Sequence, residues 1–73
     1  MHLDVEKIRY DACARYGSLT DFANAMGISL TRLCVILKNG RVLRKNGAVL
    51  PSVTRMLGTL CKEGEEIWTW IVY

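Results

Sequence analysis

The side chains best suited to bind a ligand in this sequence are cations gathered in one stretch. No Asp or Glu occurs from Phe22 through Lys62, although the chain has seven acidic and ten basic residues and a net charge of +3. The stretch contains Arg32, Lys38, Arg41, Arg44, Lys45, Arg55 and Lys62. Such an unbalanced positive field attracts polyanions such as nucleic acid, and a solvated basic face without a ligand is the simpler alternative.

The remaining reactive side chains form no catalytic or metal-binding set. The single histidine, His2, lies at a terminus that we expect to fray, and there is no CxxC pair. Cys13, Cys34 and Cys61 are odd in number and widely spaced, and no signal peptide precedes them, so we expect no disulfide framework. No apolar run approaches the ~20 residues of a membrane-spanning helix. The sequence therefore predicts a cytoplasmic protein that is not an enzyme and needs no cofactor or metal.

The cationic stretch must be positioned by a single small domain over residues 1–73, since a chain of this length has room for one hydrophobic core. The apolar spacing and the capping residues predict helices over 4–16, over 19–26 with Ser18 as N-cap, and from 29 or 30 to about 38. Pro51 suits the first turn of a further helix that continues towards Gly64. We therefore predict a mainly α, compact domain of four to five helices.

Two further segments are less regular. Asn46-Gly47 separates two β-prone runs within 41–50, which predicts a short β-hairpin wing, with a plain interhelical loop as the alternative. Segment 66–73 is apolar on both faces of any strand and must pack on something, as a strand or a turn. It lies either over the domain core or across a dimer seam. The dimer or packing candidates in it are Trp68, Trp70, Ile71 and Tyr73.

Segment 19–38 has the features of two short helices that cross through a tight turn. Ala23 is the small residue where the backbones approach, and Gly27 is the glycine of the turn. The inward apolar positions are Phe22, Met26, Ile28, Leu33 and Ile36. The sequence resembles the helix-turn-helix family of phage Cro and repressor-type (Xre-like) regulators from Arg15 to Ser29, and onward through Leu33 to Arg41. The resemblance covers roughly half of the chain.

The resemblance implies a sequence-specific transcriptional regulator from a phage or mobile element, which binds double-stranded DNA as a homodimer. Its third helix would enter the major groove, whose width admits a helix. The residues placed to contact bases would be Ser29, Leu30, Thr31, Cys34, Val35 and Lys38. Those placed to contact backbone phosphates would be Thr20, Asn24, Arg32, Arg41, Arg44 and Lys45.

The recognition face departs from the family pattern at Leu30, Cys34 and Val35. Relatives usually carry Gln, Asn, Arg or Lys there, because each bidentate polar contact supplies ~1–3 kcal/mol of base discrimination. Two hypotheses follow. Either specificity rests on methyl contacts, phosphates and DNA shape, or the chain is a small inhibitor or adaptor that binds a protein partner through this apolar face. The uninterrupted cationic stretch favours DNA.

Overall fold

The computed structural model describes all 73 residues and contains four helices, as the apolar spacing predicts. They are α1 (Val5–Tyr16), α2 (Leu19–Met26), α3 (Leu30–Asn39) and α4 (Pro51–Leu60). The first three begin at side-chain caps, in which Asp4, Ser18 and Ser29 each accept a hydrogen bond from the amide three residues ahead. These caps satisfy amides that lack a partner inside the helix. None of the helices has the length and apolar content needed to cross a bilayer.

Helix α4 is shorter than its sequence predicts. It ends at Leu60, and Cys61 is extended instead of continuing the apolar stripe towards Gly64. The Lys62 amide donates to Glu65 Oε1 at 2.8 Å, and the Glu65 amide donates to the Lys62 carbonyl at 3.0 Å. This tight turn competes with the helix for the same backbone groups, so the predicted end at residue 64 is wrong. No full fifth helix follows, only one 3₁₀ turn at Ile67–Trp70.

The two chain ends form a small antiparallel sheet. Strand β1 (His2–Leu3) pairs with strand β2 (Ile71–Val72), in the register His2 with Val72 and Leu3 with Ile71. The Leu3 amide also donates to the Gly40 carbonyl at 3.0 Å, which ties β1 to the end of α3. The prediction that the terminus at His2 frays is therefore wrong. Segment 66–73 combines both predicted forms, a turn followed by a strand.

The core contains fifteen buried side chains, all of them apolar, and every helix and both strands contribute to it. Trp70 and Phe22 are its largest members. Ile28 and Ile36, predicted to face inward, are only half-buried because they line a surface groove beside the start of α4. The other inward positions predicted for segment 19–38 are buried.

Polar contacts hold the C-terminal segment against α1. Trp70 Nε1 donates to Asp11 Oδ2 at 2.6 Å, and the Arg15 guanidinium lies 5.5 Å from the centre of the Trp70 ring. Arg15 also donates to both carboxylate oxygens of Glu65 at 2.8 Å and to the Leu60 carbonyl at 2.8 Å. The hydrogen bond between Arg15 and Glu65 raises the pKa of the arginine and lowers the pKa of the carboxylate. The segment is thus a fixed part of the monomer.

Candidate nucleic-acid interface

The turn between α2 and α3 sets the direction of α3. Gly27 has φ +74° and donates its amide to the Ala23 and Asn24 carbonyls, while the Ile28 amide donates to the Ala23 carbonyl at 3.0 Å. These bonds close the end of α2 with a left-handed residue, a conformation that glycine adopts without steric cost. Ala23 is buried. Helix α3 therefore starts as a separate element and is not a continuation of α2.

Helix α3 turns one side to the core and leaves the other open. Leu33 and Leu37 are buried, whereas all six predicted base-contacting residues are exposed. Val35 has 61% of its surface exposed and Leu30 has 40%, so the open side is partly apolar. Ser29 Oγ accepts the Arg32 amide as the helix cap at 3.1 Å, and its O–H remains able to donate to a ligand.

The predicted phosphate contacts on α2 and in the wing form separate groups. Thr20 and Asn24 are both exposed on α2, with Thr20 in the first turn.

The wing is a minimal hairpin with one bridge, between Leu43 and Val49. Its loop is closed by the Gly47 amide donating to the Arg44 carbonyl at 2.9 Å and by the Arg44 amide donating to the Ala48 carbonyl at 2.7 Å. Segment 41–50 thus has the hairpin's hydrogen bonds without extended strands.

The wing brings its three cations to one place. A depression of about 410 Å³ is lined by Arg41, Arg44 and Lys45 together with Asn46 and Leu50. Arg41 Nε donates to the Leu43 carbonyl at 3.0 Å, which restrains that side chain, while Arg44 and Lys45 have no side-chain partner. The sequence predicted these residues as phosphate contacts, and the structure makes them a single patch of positive charge.

Arg55 completes a second cationic cluster that the sequence did not predict as a site. A groove of about 420 Å³ runs between the α2–α3 turn and the start of α4, and both Arg32 and Arg55 line it. A Cβ placed on Gly27 would lie 3.5 Å from Arg55 Nη2, so Arg55 reaches across to the turn. The stretch without Asp or Glu includes Arg55, but only the packing of α4 against α1 and α2 brings Arg55 to the same groove as Arg32.

The cations of this surface are not neutralised within the protein. The chain has one salt bridge, between Arg15 and Glu65. Both residues lie outside the cationic stretch from Phe22 through Lys62. No cation on α3, in the wing or at Arg55 has a carboxylate partner. Unpaired arginine and lysine side chains can bind phosphate oxygens, with arginine able to form two parallel hydrogen bonds.

The dimer or packing candidates divide into two pairs. The side chains of Trp70 and Ile71 are buried in the monomer core, which leaves these side chains no surface for a partner. Trp68 and Tyr73 are 43% and 79% exposed, and their rings stack with centres 6.5 Å apart and planes 24° apart. Among these four side chains, only those of Trp68 and Tyr73 are open to another molecule.

Comparison with protein-family models, curated proteins and solved structures finds no match. No group of three or more His, Cys, Asp or Glu residues is placed to hold a metal ion. The surface formed by α3, the wing and Arg55 offers hydrogen-bond donors and positive charge around the exposed side of a helix, together with two apolar side chains.

Proposed function

We propose that this protein is a sequence-specific DNA-binding transcriptional regulator of phage or mobile-element type. The observation that supports this most strongly is the exposed side of α3, which is flanked by cations that have no carboxylate partner. A helix of this size fits the major groove of B-DNA, and unpaired cations beside it supply phosphate contacts. The Xre-like pattern of segment 19–38 points the same way.

In the proposed complex, α3 lies in the major groove with its first turn nearest the base edges. Thr31 and Lys38 would donate hydrogen bonds, and the exposed carbons of Leu30 and Val35 would contact thymine methyl groups. Cys34 lies between them as a small thiol. With so few polar groups on α3, sequence preference would depend strongly on DNA shape and deformability.

Fluorescence anisotropy on a labelled random duplex tests this proposal. Four cations are assigned to backbone phosphates: Arg32, Arg41, Arg44 and Lys45. The slope of log affinity against log salt concentration, the salt slope, has a magnitude of about 0.9 per phosphate contact, so the affinity should fall roughly 150-fold between about 50 and 200 mM salt. An affinity that hardly changes with salt would contradict phosphate-dominated binding.

A second candidate function is that of a small inhibitor or adaptor that binds a protein through Leu30, Cys34 and Val35. The joint exposure of these three residues on α3 favours it, because a helix that presents an apolar face is a common means of protein recognition. In the same anisotropy experiment, the double variant Leu30→Lys and Val35→Lys separates the two functions. On the DNA proposal its affinity for random duplex should equal or exceed that of the wild type, because two cations are added. If the wild type does not bind duplex DNA at low salt and only the double variant binds it, the result would favour the protein partner.

We also propose that the regulator is a homodimer assembled through the C-terminal segment. Strand β2 is an edge strand, and the stacked Trp68 and Tyr73 rings lie beside it. An antiparallel edge can pair with its own copy about a two-fold axis, which is the usual symmetry of small oligomers. The presence of two such copies would place two α3 helices on one DNA molecule.

Sedimentation equilibrium measures the dimer directly. The wild type should sediment as a dimer, and a variant with Trp68→Gln and Tyr73→Gln should sediment as a monomer. Tyr10→Gln is the matched control, since Tyr10 is an exposed aromatic residue on α1. A wild type that is monomeric at every concentration, or a double variant that remains dimeric, would rule out this interface.

A further inference from the structure

The groove between the α2–α3 turn and the start of α4 carries two cations and no acid. Its walls include Gly27, Arg32, Ser52 and Arg55, and no acidic residue lines it. Two guanidinium groups of like charge line this groove, and the protein supplies no carboxylate to it. Such an arrangement is electrostatically unfavourable unless solvent or an anion screens it.

Neither guanidinium is engaged elsewhere. The side chains of Arg32 and Arg55 form no ion pair, and the hydrogen bonds of these residues involve only the backbone, through the Arg32 amide and the Arg55 carbonyl. Both residues are exposed at the mouth of the groove. Since Arg55 reaches the turn at Gly27 and Arg32 starts from the first turn of α3, their planar donors can meet one ligand from two sides.

The backbone at the start of α4 has neutral donors beside the same groove. Leu50 provides no side-chain cap, and Pro51 has no amide hydrogen. The amides of Ser52 and Val53 therefore have no partner within the helix or at its cap. Ser52 lines the groove and also carries a hydroxyl. These donors and the positive end of the helix dipole reinforce the attraction of the two arginines for an anion.

From this geometry we infer that the groove is a phosphate-binding site, with Arg32 and Arg55 as its principal ligands. In the DNA complex the phosphate would belong to the DNA backbone, and this part of the inference rests on the proposed function. The other source of the same chemistry is a free phosphate or a phosphorylated small molecule. A backbone phosphate held here would fix the register of α3 in the major groove, as phosphate contacts do.

Two measurements test the site. In the first, ¹⁵N-labelled protein is titrated with inorganic phosphate at constant ionic strength, with sodium chloride as the reference. We expect the shifts to concentrate at Gly27, Ser52, Val53 and Arg55. In the second, duplex binding is compared for wild type, Arg55→Gln and the control Arg9→Gln, an exposed arginine on α1. Arg55→Gln should lower the salt slope by about 0.9 and the affinity at about 0.1 M salt by roughly eightfold, while Arg9→Gln should leave both unchanged.

The outcomes distinguish a failure of the phosphate site from a failure of the proposed DNA-binding function. If Arg55→Gln loses affinity for DNA and Arg9→Gln does not, the result supports the site with DNA as the phosphate source. Localised phosphate shifts, with Arg55→Gln binding DNA normally, support the site with a free phosphate as its ligand. If the wild type binds no DNA, the proposed function fails and the phosphate titration alone decides the site. Shifts that are absent or spread over all cations, together with normal DNA binding by Arg55→Gln or no binding by the wild type, would overturn the inference.

Discussion

Replacement of Trp70 by alanine is expected to lower the free energy of unfolding by about 3–5 kcal/mol, the usual cost of removing a large buried aromatic side chain. Trp70 is fully buried and donates its indole hydrogen to Asp11, so the variant loses both its packing and a hydrogen bond. A domain of this size has a total stability of roughly 4–11 kcal/mol, from about 0.05–0.15 kcal/mol per residue. The substitution should therefore remove a large share of the total stability. Urea denaturation followed by circular dichroism measures the change.

Trp68→Ala provides the matched control, because the same residue type lies two positions earlier and is 43% exposed. Its effect should stay below about 1 kcal/mol, the range of most surface substitutions in a monomer. The comparison is made at a concentration where the protein is monomeric, so that dimer contacts do not enter. Equal destabilisation by the two substitutions would show that the C-terminal segment is not packed as described.

Neutralising the wing should have the largest effect on DNA binding. A variant with Arg41→Gln, Arg44→Gln and Lys45→Gln removes three cations that line one depression. At about 0.9 per phosphate, the salt slope should fall by roughly 2.7, and the affinity at about 0.1 M salt should fall by roughly 500-fold if the affinity extrapolated to 1 M salt is unchanged. Fluorescence anisotropy across a salt series gives both quantities.

The control for the wing variant is a second triple variant, which removes three cations from other parts of the protein. Lys7, Arg9 and Lys62 are all exposed, and none lies on α3 or in the wing. The triple variant with glutamine at these positions has the same net charge as the wing variant, so it reports the effect of overall charge alone. If both triple variants lose affinity equally, binding follows net charge and the wing forms no specific phosphate contact.

Local sequence signals were sufficient to predict the helices around the candidate site. Ser18 and Ser29 are N-caps because their hydroxyls accept amides that have no partner within the helix, and this depends on only a few neighbouring residues. Gly27 ends α2 for a similarly local reason, since its φ is positive. The apolar spacing of segment 19–38 then places the open side of α3 with no knowledge of the other elements.

Other features depend on residues far apart in the chain. The pairing of His2–Leu3 with Ile71–Val72 joins the two ends, and no pattern in either dipeptide predicts it. The end of α4 at Leu60 depends on the turn made by Lys62 and Glu65, whose carboxylate is also held by Arg15 from α1. The division of the aromatic residues is similar, because Trp70 meets Asp11 while Trp68 faces outward.

The amino-acid sequence by itself determined where the four helices begin, the turn at Gly27 and the sign of the charge from Phe22 to Lys62. The helices and the turn follow from backbone preferences that act over a few neighbouring residues. The sign of the charge follows from composition, which does not depend on how the chain folds. Only the tertiary structure decided that Arg55 and Arg32 line one groove and that Trp70 is buried while Trp68 is not. Such placements arise from the packing of α4 and the C-terminal segment on the core, a contact between distant parts of the chain that local preferences do not specify.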